Sequence, residues 1–506
     1  MKAAFSKKWL ASLRVLGPIL VLSGCSMAPT YQKPQVGAPD EFKETQVGTL
    51  TGEVGSWKPA QPSDQSTRGD WWSVFADPAL NDLEQRALAA NQGLRAAVAR
   101  VYEARAINQS ARAALFPTLD AGFGATRQKP SPASQGLSSD ASTTAQTLWR
   151  AQATAAYEVD LFGRVSDAIK ASHAEAQRSE ALLRSVQLAV QADVAQNYFN
   201  LRAQDAELEV FARTVSLREH ALQLVQRRFD EGDVGELDLA RARSEFATAR
   251  TEEMAVQRLR AASEHGLAVL VGEAPARFAM PRKPIAAVGV RIPAGLPSSL
   301  LERRPDIAAA ERSIAAANSR IGVAKAAFFP SLSLTGTAGF EAGTVGNLFN
   351  WSSRAFALGP LVGTALSVPL FDGGRRKGDL ANARAVYDEE VATYREHVLV
   401  AFREVEDGLS TLRILRDQRR EQTFAETNAM RAAEISRAQY REGAVSYFEV
   451  IDSERTALQS QRASVQLVGA EAVATVNLIR ALGGGWDAAG DTPLGQAART
   501  SDSAPR

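Results

Sequence analysis

Cysteine and histidine are nearly missing from this chain: 506 residues carry one Cys and four His. A lone cysteine makes neither an intrachain disulfide framework nor a Cys-type zinc site, and four scattered histidines leave no metal chemistry to build on. A surplus of one charge is missing too, because 58 Lys and Arg against 57 Asp and Glu leave a net charge of +1. No basic stripe is interleaved with aromatics, so nucleic acid is not an expected partner. There is no HExxH, no glycine-rich phosphate loop with its lysine and no GxSxG elbow. His173, His220, His265 and His397 fall in helical stretches among charged residues, as solvated surface does. The expectation is no enzyme and no cofactor. The five methionines are unclustered and single out no metal cargo. With 45% hydrophobic and 23% charged residues, the chain can nonetheless bury a sizeable core.

The N-terminus reads as an address. Lys2, Lys7, Lys8 and Arg14 precede a short apolar run, 15–22, which is too short to span a bilayer and has the layout of a secretory signal, residues 1–24. The run ends in Leu22-Ser23-Gly24-Cys25, which resembles a bacterial lipobox, and the only cysteine stands where the lipid is attached. Ser26 rather than Asp follows it, which in such lipoproteins favours transport to the outer membrane. An ordinary signal with a chance cysteine is the plainer alternative.

The chain is written twice. Ala114-Leu115-Phe116-Pro117-Thr118-Leu119 returns as Ala327-Phe328-Phe329-Pro330-Ser331-Leu332, and Leu161-Phe162-Gly163-Arg164 as Leu370-Phe371-Asp372-Gly373-Gly374-Arg375. Phe229-Asp230-Glu231-Gly232-Asp233-Val234 returns as Tyr440-Arg441-Glu442-Gly443-Ala444-Val445, in the same order. This is one duplication and not a long array. The first repeat is set at 79–274 and the second at 298–482, flanked by an N-terminal segment 25–78, a linker 275–297 and a tail 483–506.

Each repeat opens with a helical stretch, 79–113 and 298–328, that runs into Phe-Pro, where proline removes a donor and disfavours helix in the residue before it. The period then becomes two. Leu119, Ala121, Phe123 and Ala125 share one face, and Trp149, Ala151, Ala153, Ala155, Tyr157, Val159 and Leu161 share one face of a partner strand. Leu332, Leu334, Ala338 and Phe340 repeat the pattern, and Leu358, Val362, Leu366, Val368 and Leu370 make a looser fourth strand. Two hairpins, 117–162 and 331–371, are expected. Strands of about ten residues with one apolar and one polar face suit lipid on one side and water on the other, although a half-buried hairpin in a soluble sandwich has the same alternation. Then come proline-free stretches, 165–229 and 375–440, each about 100 Å long if helical. Val186, Val190, Val194, Tyr198 and Leu201 in the first, and Tyr387, Val391, Tyr394, Val398, Phe402, Val405, Leu409 and Leu412 in the second, step like a coiled-coil seam. Glycine-containing turns then lead to return helices, 237–270 and 448–482.

Four strands cannot close a barrel, and unpaired backbone groups are not tolerated in lipid, so the chain must oligomerise. On Trp71-Trp72, Phe75, Asp77-Pro78 and Leu80, on Leu301-Glu302-Arg303-Arg304-Pro305-Asp306-Ile307, on Phe329-Pro330-Ser331-Leu332 and on the 440–455 turn, the chain resembles the TolC-like outer-membrane factors, lipoprotein branch. The resemblance implies a mixed α and β membrane protein in which a coiled-coil helical barrel continues a transmembrane antiparallel β-barrel. It implies a homotrimer with twelve strands and twelve helices, serving as the exit duct of a tripartite efflux system. The partners implied are a periplasmic adaptor, an inner-membrane transporter of the RND type and outer-membrane lipid. By the same resemblance Asp452 is a gate residue, Glu449 a second acidic ring and Arg455 a tie between helices, while Gly232, Val234, Gly235, Gly443 and Val445 mark the tips where the adaptor docks. Acids at a helix start are also ordinary there, and the first repeat carries Arg241 at the position of Asp452. Two other readings stay open: a duct for type I protein secretion, and a lipid-anchored coiled-coil spacer. The cargo is left unspecified.

Overall fold

The protein is described from a computed structural model covering residues 26–39, 41–45, 70–286, 290, 297–359 and 365–484. The expected signal 1–24, Cys25, residues 46–69, part of the linker and the tail from 485 lie outside the described residues. The described chain divides into two compact units: one holds the sheet with the helical segments that enter and leave it, and the other holds the long-helix interiors, the return helices and the linker.

In the first unit four antiparallel positions follow chain order. β1 (Thr118–Gln128) pairs with β2 (Gln146–Val159), β2 with β3 (Ser331–Ala342), and β3 with β4 (Arg354–Leu358) and β5 (Leu366–Ser367). The two repeats thus share one sheet, joined through the Trp149↔Ala342 to Val159↔Leu332 register. The expected fourth strand is corrected: it is split into β4 and β5, Val368 and Leu370 lie outside any strand, and Val362 is outside the described residues. Pro360 and Pro369 bracket β5 in sequence and have no N–H to give to a ladder. Leu119, Phe123, Phe356 and Leu358 are all exposed.

Two expected helices are also corrected. The first opening stretch is α1 (Pro78–Ala90) and α2 (Gln92–Ala113), broken at Asn91, whose Oδ1 accepts from Leu94 N (2.9 Å) while its Nδ2 donates to the Leu270 carbonyl (2.9 Å). The second is α5 (Pro297–Arg303) and α6 (Pro305–Ala326), interrupted where Pro305 cannot donate. The long helices are α3 (Arg164–Asp230) and α7 (Arg375–Arg441), and the return helices α4 (Glu236–Leu270) and α8 (Tyr447–Ala481). Each long helix starts under an aspartate, though not at matching positions of the repeat: Asp160 accepts from Val165 N and Ser166 N, and Asp372 from Gly374 N and Arg376 N. Satisfying orphan N–H groups explains why both copies carry an acid there.

The seam positions are buried or half-buried, with Val186, Tyr387, Val391, Phe402 and Leu409 the half-buried ones. Val190, Val194, Tyr198 and Leu201 on α3 are buried, as are Tyr394, Val398, Val405 and Leu412 on α7. In the second unit the α3 residues pack with Trp71, Trp72, Leu80, Leu83, Leu267, Val476 and Ile479. Asp77 both caps α1, accepting from Ala79 N (2.9 Å), and accepts from the Tyr198 hydroxyl (2.6 Å). The linker is pinned by charge: Arg260 Nε donates to Asp205 (2.6 Å) and its Nη2 to the Met280 carbonyl (2.7 Å), while Arg202 reaches the Pro281 carbonyl (2.7 Å). Among the described residues no helix is long and apolar enough to cross a membrane.

Candidate functional site at the paired helical turns

The turns after α3 and α7 have the same construction. Asp233 N bonds to the Arg228 carbonyl (2.8 Å) and Gly232 N to Phe229 (3.0 Å); in the other copy Ala444 N bonds to Gln439 (2.9 Å) and Gly443 N to Tyr440 (3.1 Å). Both glycines take positive φ, 86° and 77°, which closes a Schellman-type end without strain. Gly235 and Ser446 then stand at the N-caps of α4 and α8 in extended conformation.

The structure brings the two turns together. Val225, Leu239, Ala242, Tyr440, Tyr447, Val450 and Ile451 form one buried cluster, and Val234 and Val445 pack against it. Gly232, Gly235 and Gly443 are exposed on the turns themselves. On α8 Val450 and Ile451 face this cluster, which leaves Glu449 and Asp452 exposed, three residues apart and so on neighbouring parts of one helix face. Ser446-Tyr447-Phe448-Glu449 has the spelling of a capping box, yet the Ser446 side chain makes no cap hydrogen bond. Arg241, the first-repeat counterpart of Asp452, lies over the Phe448 ring at 5.5 Å and within 3.5 Å of Asp238.

Arg455 donates through Nε and Nη2 to Glu245 on α4, the Nε bond being 3.0 Å. Glu245 is buried and is also held by Arg218, 3.1 Å away on α3, whose Nη1 donates to the Glu245 carbonyl at 2.9 Å. One acid therefore binds three helices. The carboxylate beside Arg455 holds that guanidinium charged more firmly than usual. Glu454 is the opposite case: burial raises its pKa, against the pull of Arg437 and Arg218. Burial likewise raises the Tyr447 phenol, with Glu454 adding to it. Sequence reading singled out Arg455 but missed Glu245 and Arg218. The signal was present on α4, where Glu245 falls in the buried stripe Leu239, Ala242, Glu245, Ala249, and an acid inside such a stripe demands a cation. Among the described residues no cluster of His, Cys, Asp and Glu is built to hold a metal.

A duplicated chain whose strands share one sheet with exposed apolar side chains, each repeat following its strands with a long seam-packed helix, has the make-up of a channel-forming membrane protein. The chain belongs to the outer membrane efflux protein family, which matches residues 83–273 and 296–484. It is 34% identical over 483 residues to the toluene efflux pump outer membrane protein TtgF of Pseudomonas putida, covering 94% of this chain and 97% of that one. It is 33% identical over 478 residues to the outer membrane protein OprJ of Pseudomonas aeruginosa, covering 92% and 94%. The solved outer-membrane channel OprN superposes with a TM-score of 0.80 at 29% identity, over 91% of this chain and 100% of that one. The fold is thus that of the TolC-like channels, and the protein is an outer-membrane exit duct for efflux and not an enzyme. It works as one component of a pump whose other parts are an adaptor and an inner-membrane transporter.

Proposed function

We propose that three copies of this chain close one duct, anchored by lipid at Cys25, that carries small molecules delivered by an RND-type transporter through a periplasmic adaptor. The observation that carries the trimer is the sheet's two open edges, β1 on one side and β4 with β5 on the other. In lipid those edges must pair with other copies. Three copies supply about twelve strands, enough to surround water, whereas two supply about eight, which make a filled barrel. Small organic cargo is supported by the toluene named for TtgF, and no observation favours protein secretion. Light scattering and negative-stain imaging of the detergent-extracted protein test the count: a three-fold hollow particle is expected, and a monomer or a solid rod overturns it.

In this trimer Asp452 and Glu449 put six carboxylates at the periplasmic end, Arg455 ties the helices behind them, and the turns at Gly232, Val234, Gly235, Gly443 and Val445 receive the adaptor. The exposure of both acids supports a ring of solvated carboxylates. Asp452→Ala is expected to raise single-channel conductance in a planar bilayer by about twofold and to weaken cation preference, since a ring of charge focuses counter-ions. Unchanged conductance removes Asp452 from the gate. Adaptor docking is read by co-purification, which Gly443→Val is expected to reduce because valine is strained at positive φ.

A further inference from the structure

Residues 26–35 run as a strap in the same compact unit as the sheet. Ser26 Oγ donates to Asp167 Oδ1 at 2.7 Å and accepts from Ala28 N at 3.3 Å. Asn318 Nδ2 on α6 donates to the Pro29 carbonyl at 2.8 Å, and Lys33 Nζ lies 2.9 Å from Glu311. The first of these bonds is the unusual one, because Asp167 is fully buried in the first turn of α3 and shares the same oxygen with Lys170 Nζ at 2.9 Å. Room for this carboxylate exists only because residue 322 is glycine: a Cβ there would stand 2.2 Å from Asp167 Oδ2 and 2.8 Å from both Ala28 N and Ala28 Cβ. Strap, α3 and α6 therefore meet at one point. A buried carboxylate is expensive, and an apolar residue would pack these helices at lower cost. What the carboxylate adds is direction, a single bond that fixes one residue of the strap.

We propose that Asp167, floored by Gly322, is a socket for the chain's own mature N-terminus. It seats Ser26 so that a lipid on the preceding residue enters the bilayer beside the corner where β2 passes into α3. The lipid half of this rests on Cys25 being the acylated residue; the socket rests on Ser26, Asp167, Asn318 and Gly322. The consequence is a short leash. Freed back to Lys33, the strap would gain seven residues of reach at about 3.5 Å each, and the anchor could wander by about 25 Å further. Pinned at Ser26, it holds the start of the chain next to the strands that must enter the membrane.

The test is hydrogen exchange by mass spectrometry on the full-length, detergent-extracted protein, with the N-terminal peptide weighed in the same run. Ser26→Ala removes the donor to Asp167 together with the acceptor of Ala28 N and touches no other helix, so it is read on the amides from Thr30 onward; Asp167→Asn weakens the acceptor alone, and Gly322→Ala fills the floor. Loss of a bond to a buried charge is expected to lower the protection of 30–35 about tenfold or more in Ser26→Ala and Gly322→Ala, and less in Asp167→Asn, with β1 and β2 unchanged. Unchanged protection of 30–35 in Ser26→Ala overturns the socket, even where Gly322→Ala does not fold. A wild-type N-terminal peptide without acyl mass overturns the lipid reading alone, because the exchange comparison still decides the socket.

Discussion

Glu245→Ala is expected to destabilise the paired turns by about 3 kcal/mol and to make the duct leakier, because removing one member of a buried ion pair strands the other. The stranded group is Arg218, whose side chain is 5% exposed and whose remaining bond is to the residue 245 carbonyl. Arg455→Ala is expected to cost no more than about 1 kcal/mol, since its side chain is 63% exposed and its pair with Glu245 is screened. The order of the two effects is the content of the prediction. If Arg455→Ala costs as much as Glu245→Ala in thermal melting, the α8 to α4 tie holds the turn. If Glu245→Ala dominates both melting and planar-bilayer conductance, the buried α4 to α3 pair holds it and Arg455 is a latch over the outside. Glu454 sits close enough to Arg218 to feel its charge, so the double variant Glu245→Ala with Glu454→Gln is expected to lose more than the sum of the two.

Glu84→Gln is expected to stabilise the protein at neutral pH. Glu84 lies on α1 with 0% exposure, and among the described residues no donor reaches either carboxylate oxygen. Burial, with Asp70 adding to it, lifts its pKa to about 9. Because the folded value is raised for an acid, the folded state keeps a proton that the unfolded chain releases above about pH 4.5. This contribution to stability is therefore complete below pH 4.5, declines as pH rises towards 9 and is flat above it. At pH 7 the loss amounts to about 3 kcal/mol at most. Glutamine carries the neutral shape at every pH, so wild type and variant are expected to melt together near pH 4.5 and to diverge steadily up to pH 8. Parallel melting curves across that range would show that Glu84 is ionised in the folded state. The packed region that would respond contains Trp71, Trp72 and the α3 seam.

Both predictions concern residues that sequence reading passed over, and the reason is shared. Glu84 sits beside Leu80, Leu83 and Ala87, and Glu245 beside Leu239, Ala242 and Ala249; on a helical wheel either acid can be read as the edge of an apolar stripe. Only the partner helix decides whether that edge meets water. By contrast the two glycine turns were legible because the duplication aligned them and because a turn is written in neighbouring residues, while Asp452 and Arg455 were singled out by the family resemblance of the 440–455 turn.

By itself the sequence determined the duplication, the strand period after each Phe-Pro, the proline-free long helices with their seams, the turns at Gly232 and Gly443, and the acids at the start of α8. All of these depend on interactions within a few residues, so local spacing carries them. The tertiary structure alone decided that β2 pairs with β3 and fuses the two repeats into one sheet, that Asn91 breaks the first opening helix against the Leu270 carbonyl, and that Asp167, Glu245 and Glu84 are buried. Those outcomes depend on which partner approaches from more than a hundred residues away along the chain, as Glu245 does from Arg455 and Asp167 from Ser26. A carboxylate reads the same in sequence whether its neighbour is solvent, a guanidinium or a wall of tryptophan, and only packing chooses among them.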